Sequence, residues 1–308
     1  MSSARADWAI FLTLGVIWGS GYLFIKIAVD DFGTFTLVAL RLAIGTALLW
    51  TVIRAAGKRL PRSPRVYGHL AVMAAVNIAI PFVLITWAEQ RVDSALAAIL
   101  TAIVPLFTAV LAPLFIHDEP MRVNAVVGLG IGFLGVLILT AGGAGGAGSD
   151  AARVVGLVGA SFCYAAGAVY ARRNVRGLDP MVPAVFQVTF AFAMTAAVAC
   201  AVERPWDSRP DAAAVFSIVW LGLFGSGLAY LAVFRLLAHW GATRTTAVAY
   251  LLPAVGIVLG AVVLQEPIGA RTVLGTALVL AGVSLVSSGV GRHVLFARAA
   301  PGVTAPAG

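Results

Sequence analysis

The chain has 308 residues, of which 61% are hydrophobic and 11% charged, with a mean hydropathy of +0.98. An ordinary globular domain carries about 25% charged residues, so a soluble single-core enzyme, a disordered chain and a nucleic-acid-binding protein are excluded. The net charge of +8 then reports loop orientation in a lipid-embedded chain rather than an acidic partner.

A membrane span needs about 20 apolar residues, each adding about 1.5 Å across a hydrocarbon core of about 30 Å. Ten segments qualify, at residues 8–27, 34–53, 67–88, 94–116, 123–141, 154–171, 180–202, 212–238, 245–264 and 271–290. Each is apolar all round, as a lipid-embedded helix should be. The alternating segments of about ten residues that build a transmembrane β-barrel are absent. The expected fold is therefore all-α, with ten transmembrane helices. The first span reads as a helix that stays in the protein, since it is longer than the core of a cleaved signal peptide.

Ten spans place both termini on one side. The loops on that side carry Arg5, the cluster Arg54, Lys58, Arg59, Arg62 and Arg65, then Arg122, Arg172, Arg173, Arg176, Arg244, Arg292 and Arg298. The opposite side carries only Arg91, Arg153, Arg204, Arg209 and Arg271. The positive-inside bias puts both ends in the cytoplasm, and the basic cluster at 54–65 is read as a topology signal. Cys163 and Cys200 lie inside apolar runs and read as small apolar filler. The histidines, His69, His117, His239 and His293, fall in loops or at predicted helix ends. No metal site or cofactor follows from these residues.

The run Gly142-Gly143-Ala144-Gly145-Gly146-Ala147-Gly148-Ser149 is a flexible linker by composition. It divides residues 1–141 from residues 154–290, leaves a tail at 291–308, and separates two sets of five spans. The two sets repeat. Trp18 and Lys26 are eight apart, as are Tyr164 and Arg172, with Gly21 and Gly167 between them. Arg41 follows Lys26 by fifteen, and Gln187 follows Arg172 by fifteen. Pro105 matches Pro253 at an offset of 148. Glu119-Pro120 matches Glu266-Pro267 at 147, and Gly128 with Gly275 and Gly135 with Gly282 keep that offset. An odd number of spans per half inverts the second half relative to the first, a device of carriers with two states of similar energy.

At these residues the sequence resembles an EamA-type carrier of the drug/metabolite transporter superfamily. The resemblance rests on Trp18-Gly19-Ser20 followed by Lys26, on Arg41-Leu42-Ala43, on Ser94 to Ala98 with Val104-Pro105-Leu106-Phe107 and Glu119, and on Pro253 and Glu266 in the second half. It covers roughly residues 8–290. It implies two EamA-like five-helix repeats, ten helices, cytoplasmic ends and movement of small metabolites or drugs, often outward. The implied location is the plasma membrane, a bacterial inner membrane. Three positions depart from a symmetric pattern: Tyr164 stands where the first half has Trp18, Gln187 where it has Arg41, and Arg235 lies near the inner end of the eighth span.

All thirteen acids fall in predicted loops or at span ends, so a carboxylate proton relay at the midplane is not expected. Glu89, at the outer end of the third span, is the only near candidate for such a relay, and its position also reads as that of an interfacial residue. Glu119-Pro120 and Glu266-Pro267 read as helix starts, an acid on the positive end of the dipole followed by Pro in the first turn. Arg41 sits about 10 Å deep and is expensive there unless it faces a polar cavity or a partner. It is expected to attract the carboxylate or phosphate of a substrate. Lys26 joins it as a candidate, although it can also snorkel to the interface. The remaining substrate-binding candidates are Trp18, Tyr22, Trp87, Tyr164, Tyr230 and Tyr250 as aromatic surface, and Ser20, Asn77 and Gln187 as polar groups. Thr101, Ser161 and Ser226 are further polar groups inside spans, free to bond a substrate or a neighbouring helix. Pro105 and Pro253 are expected to break the fourth and ninth spans near the binding site.

The leading functional expectation is a secondary carrier working by alternating access on a small solute. A passive channel or facilitator is the alternative. No Gly-rich phosphate loop is present to couple ATP, and the scattered histidines and loop-bound acids argue against an intramembrane enzyme. The expected partners are a small-molecule substrate and the lipid bilayer, without nucleic acid. Gly15/Gly19, Gly128/Gly132 and Gly256/Gly260 allow close helix approach, within the bundle or in a homodimer.

Overall fold

The computed structural model describes residues 3–58, 60–116, 121–141, 149–175, 177–287 and 294–296. Its helices are α1 (Ser3–Ala28), α2 (Thr34–Ala55), α3 (Pro64–Ala74), α4 (Ile80–Glu89), α5 (Ser94–Thr101), α6 (Val104–Phe115) and α7 (Val123–Thr140) in the first half. The second half holds α8 (Ser149–Asn174), α9 (Met181–Val202), α10 (Ala212–Trp220), α11 (Ala229–Thr246), α12 (Leu251–Val263) and α13 (Ala270–Ser287). Wide π-helical turns at Ala75–Ala79 and Leu221–Leu228 join α3 to α4 and α10 to α11. A short antiparallel pair, β1 (Met121–Arg122) with β2 (Val294–Phe296), ties the first half to the tail.

Among the described residues nine helices are long and apolar enough to cross a membrane, and a tenth, Ala247–Val263, is shorter. The ten-span expectation thus holds for nine full spans and one short one. The short span has a physical cause. The predicted loop before it does not form, because the helical backbone runs on to Thr246 and passes straight into a 3-10 turn at Ala247–Tyr250. The linker is also shorter than its composition suggests: α8 begins at Ser149, so Arg153 is a helical residue rather than a loop cation. His69 and His239 lie within α3 and α11, not in loops. Gly142 to Gly148, Glu119-Pro120, His117, His293, and the tail apart from β2 lie outside the described residues.

Lipid tails are as apolar as leucine, so helices in a bilayer associate through close packing and small residues. The seam between α7 and α13 follows this rule. A Cβ added at Gly282 would meet the backbone of Gly128 and Gly132 at 2.5–2.6 Å, and one at Gly135 would meet the Gly275 carbonyl at 2.7 Å. Gly128 opposes Gly282 while Gly135 opposes Gly275, so the two helices run antiparallel. The other small-residue pairs also face helices of the same chain: Gly15 and Gly19 lie against Leu251 and Val255, and Gly256 against Ala98. Elsewhere α2 packs on α9, α4 and α5 on α8, and α1 on α10, α11 and α12. Leu42, Leu49, Leu70, Ile78 and Val185 are fully buried between α2, α3, α9 and the first π turn.

Because the α7–α13 approach is backbone to backbone, a branched side chain has nowhere to move. Gly282→Val is expected to destabilise the protein by about 1–3 kcal/mol, read as a lower thermal midpoint in detergent. An unchanged midpoint would remove the seam as a structural element.

Candidate functional site

Arg41 lies seven residues into α2 and is 6% exposed. The chain around it solves the problem of an interior guanidinium in two ways. The second π turn carries the sequence Leu-Gly-Leu-Phe-Gly-Ser-Gly-Leu, and its glycines let the backbone come close. A Cβ at Gly225 would stand 3.4 Å from the Arg41 guanidinium. Ser226, on that turn, accepts a hydrogen bond from Arg41 Nε at 3.3 Å. Phe82 of α4 lies under the guanidinium, with Cζ 4.3 Å from the ring centroid. Among the described residues, the two terminal amino groups make no hydrogen bond. Arg41 is within electrostatic reach of Tyr164, Tyr230, Glu89 and Tyr22, which come from α8, α11, α4 and α1.

Gln187, the counterpart of Arg41 in the second half, is also 6% exposed. It accepts a hydrogen bond from Asn77 Nδ2 at 3.1 Å, and Asn77 sits in the first π turn. Each of the two equivalent positions therefore reaches a polar side chain on a π turn of the opposite half. The π turns themselves begin at Ala75 and Leu221, an offset of 146. Extra-wide turns of this kind are frequent at functional sites.

Trp18 Nε1 donates to the Gly225 carbonyl at 3.3 Å, and Ser20 Oγ accepts from Trp220 Nε1 at 3.2 Å. Trp18 thus lines the second π turn, and Ser20 meets the α10 residue just before it. The Tyr22 hydroxyl pairs with Thr101 Oγ1. Thr101 is the last residue of α5, where the fourth span breaks over Ala102 and Ile103. Ser161 Oγ donates to the Leu100 carbonyl at 2.8 Å, supporting the break from α8. Pro105 and Pro253 stand in the first turns of α6 and α12. Each proline thus stands where its span is interrupted and a new α-helix starts, a position where its missing N–H is not needed.

Three other candidates lie apart from this group. Lys26 Nζ donates to the carbonyls of Glu89 at 2.7 Å and Val92 at 3.0 Å, closing the C-terminal end of α4. Trp87 lies under Arg153, whose Cζ is 4.8 Å from its ring, and Arg153 also donates to the Trp87 carbonyl. Tyr250 donates to the Val283 carbonyl at 3.2 Å, between α12 and α13.

The acids depart most from the sequence reading. Glu89, at the end of its span, is sealed inside the protein. It is 0% exposed, and neither carboxylate oxygen meets a hydrogen-bond partner among the described residues. Its place at the end of a span hid this, because α1, α2, α5 and α8 pack around that end. Glu266 does cap a helix, but not its own. Gln265 takes a left-handed φ of 57°, turning the chain back, and Glu266 accepts from the N–H groups of Ser94 at 2.7 Å and Ala95 at 3.0 Å at the start of α5. Glu203 does the same for α2, accepting from Phe35, Thr36 and the Thr36 hydroxyl at 2.8–3.0 Å. Asp7, inside α1 and 2% exposed, pairs with Arg235 at 3.1 Å and His239 at 2.8 Å of α11. Arg235, near the inner end of the eighth span, therefore has an acidic partner. In the loops, burial pushes the Asp93 carboxyl above its ordinary range, with Glu266 adding to the effect. Lys58, 2.6 Å away, holds Asp179 below its ordinary range.

Both halves of this arrangement match one sequence profile, described as the EamA-like transporter family, over residues 7–141 and 152–288. The chain belongs to the EamA-like transporter family. Like other members it is a multi-pass membrane protein and a transporter. It is similar to YedA of Escherichia coli K12, an uncharacterized inner membrane transporter, at 28% identity over 90% of this chain and 89% of that one. It is also 28% identical to a probable terminal-alkyne amino-acid exporter of Streptantibioticus cattleyicolor, over 93% of this chain and 95% of the relative. A solved crystal structure, 21% identical, superposes at a TM-score of 0.66 over 91% of this chain and 96% of its own, a likeness in fold.

In this EamA-family chain, Phe82 and Trp220 are the site neighbours that residue type alone does not single out. The run of three glycines around Ser226 was the available signal for the second π turn. Two outcomes test the surroundings of the site. Gln187→Ala takes the acceptor from the half-buried Asn77 amide and is expected to destabilise by about 0.5–1.5 kcal/mol, read by thermal unfolding in detergent. Asp179→Asn is expected to remove at most about 0.2–1 kcal/mol, given the exposed pair. Because Asp179 is depressed in the folded state, that difference is present above the ordinary carboxylate range and vanishes as pH falls through the folded value. A difference that grows on acidification would contradict the assigned pairing.

Proposed function

We propose that the chain is a secondary carrier that exports a small amino-acid-like solute by alternating access across a bacterial inner membrane. The observation that carries this is Arg41, buried at 6% exposure, whose two terminal amino groups make no hydrogen bond among the described residues and which lies within electrostatic reach of Tyr22, Tyr164 and Tyr230. A guanidinium offers two parallel donors that match a carboxylate in one plane. The tyrosines and Trp18 supply apolar faces with polar tips, suited to an organic side chain. The naming of a relative as a probable amino-acid exporter supports the same substrate class. The basic bias of the loops supports cytoplasmic ends.

Alternating access draws support from the pairing of equivalent helices. α2 and α9 are repeat-related, and Glu203 at the C-terminal end of α9 caps the N-terminal end of α2, so they run antiparallel. α7 and α13 are repeat-related and also antiparallel. This is the relation an inverted repeat produces, and an inverted repeat supplies two exchanged arrangements of similar energy.

The test is counterflow of L-propargylglycine, a terminal-alkyne amino acid, in proteoliposomes. Arg41→Ala is expected to lower the rate roughly 10- to 100-fold, the loss of a charge-assisted hydrogen bond of about 1.5–3 kcal/mol, with unchanged expression. Arg41→Lys should retain part of it, keeping the charge without the fork. Equal transport of propargylamine, which has no carboxylate, would defeat the assignment of Arg41.

A further inference from the structure

Glu89 has no structural task that its carboxyl group performs. The side chain is 0% exposed, and both oxygens lack partners among the described residues. Lys26, the nearest cation on α1, spends its ammonium on the backbone carbonyls of Glu89 and Val92. The titratable and charged groups on the surrounding elements are Tyr22 and Lys26 on α1, Arg41 on α2, Asp93 before α5, Arg153, Cys163 and Tyr164 on α8, and Glu266 after α12. Of these, Lys26, Glu266, Arg41 and Tyr22 lie within electrostatic reach of Glu89. A buried carboxylate without a hydrogen-bonded partner is costly, and it is neutralised either by a proton or by a cation brought to it.

We propose that Glu89 is an exchange site that holds a proton in the empty carrier and the substrate's ammonium group in the loaded one. This rests on the reading that Arg41 takes the carboxylate of an amino-acid-like solute. Arg41 and Glu89, which lie within electrostatic reach of each other, then form a cation and an anion site complementary to the two charges of a zwitterion. The empty state keeps the guanidinium and leaves Glu89 neutral. When the zwitterion enters, its carboxylate engages Arg41 and its ammonium displaces the proton from Glu89. The proton leaves to the water on the side then open. Occupancy by proton and by substrate is mutually exclusive, so each crosses in the opposite direction. The carrier is a proton antiporter, and an inward proton gradient drives export. Charge balances at each step: one proton bound for one zwitterion released.

Three measurements decide it. In weakly buffered detergent solution, adding L-propargylglycine to the wild-type protein should release protons, seen with a pH indicator. Glu89→Gln mimics the protonated acid and should fold, but it should release none. In proteoliposomes the wild type should concentrate L-propargylglycine against an imposed pH gradient, and Glu89→Gln should lose all gradient-driven accumulation. Retention of either response by Glu89→Gln would overturn the proposal. The third measurement needs no substrate. Infrared difference spectra of the wild type across pH should contain a titrating protonated-carboxyl band that is missing in Glu89→Gln, and a wild type without that band would also overturn the proposal. A titrating band together with no response to L-propargylglycine would instead defeat the substrate reading while leaving Glu89 as a proton site.

Discussion

Placing the Arg41 guanidinium inside a bilayer demands compensation, and the architecture around α2 is organised by that demand. A cation at this depth is tolerated where it faces a polar cavity or finds partners. Here the partners come from elsewhere in the chain: the Ser226 hydroxyl and the Phe82 ring. Ser226 reaches Arg41 because the backbone of the eighth span widens into a π turn built on three glycines. A regular helix with larger residues would hold that turn farther from α2. Thus the charge, the wide turn and the glycines are one device. They leave the guanidinium held at Nε, with its outer donors free.

The same logic governs the helix ends. A helix terminus inside or near hydrocarbon carries unpaired N–H groups that water cannot satisfy. In this chain carboxylates of the second half do so for the first: Glu203 for α2 and Glu266 for α5. At the far end of α1, Asp7 is satisfied by Arg235 and His239 of α11. Both ends of the bundle are therefore tied across the two halves. A carrier that opens first to one side and then to the other must release one set of ties at a time. The α2 and α5 caps are partly buried and involve backbone donors, whereas Lys58–Asp179 and the Arg235 and His239 side chains are solvent-accessible. The two ends are held by interactions of different strength and different sensitivity to salt.

Span positions were legible in the sequence because bilayer thickness imposes a length that composition alone reveals. The glycine spacing of Gly128, Gly135, Gly275 and Gly282 carried the α7–α13 seam for the same reason, since only small residues permit that approach. What was not legible was local. Nothing in residues 238–245 warns that the helix continues instead of looping, since Ala, His, Trp and Gly are neutral between the two without their tertiary neighbours. Glu266 followed by Pro267 reads as the start of its own helix. Its real partner lies 172 residues away, beyond what local pattern can indicate. Glu89 and Trp87 are two residues apart with opposite surroundings, one sealed by four helices and one under Arg153. Burial at that resolution is decided by packing and not by depth.

The two halves share a scaffold, but they do not share a charge, and that difference sets what the site can do. Gln187 stands in the place of Arg41, and it satisfies Asn77 with a neutral hydrogen bond. Had both positions been arginine, two buried guanidiniums would need two anionic groups to balance them. With one arginine the site has one cation, and among the described side chains within electrostatic reach of Arg41 the carboxyl group is that of Glu89. On the proposed carrier reading, one cation and one acid would fix the direction in which a dipolar solute lies. The difference between Arg41 and Gln187 would then keep that orientation the same in both access states.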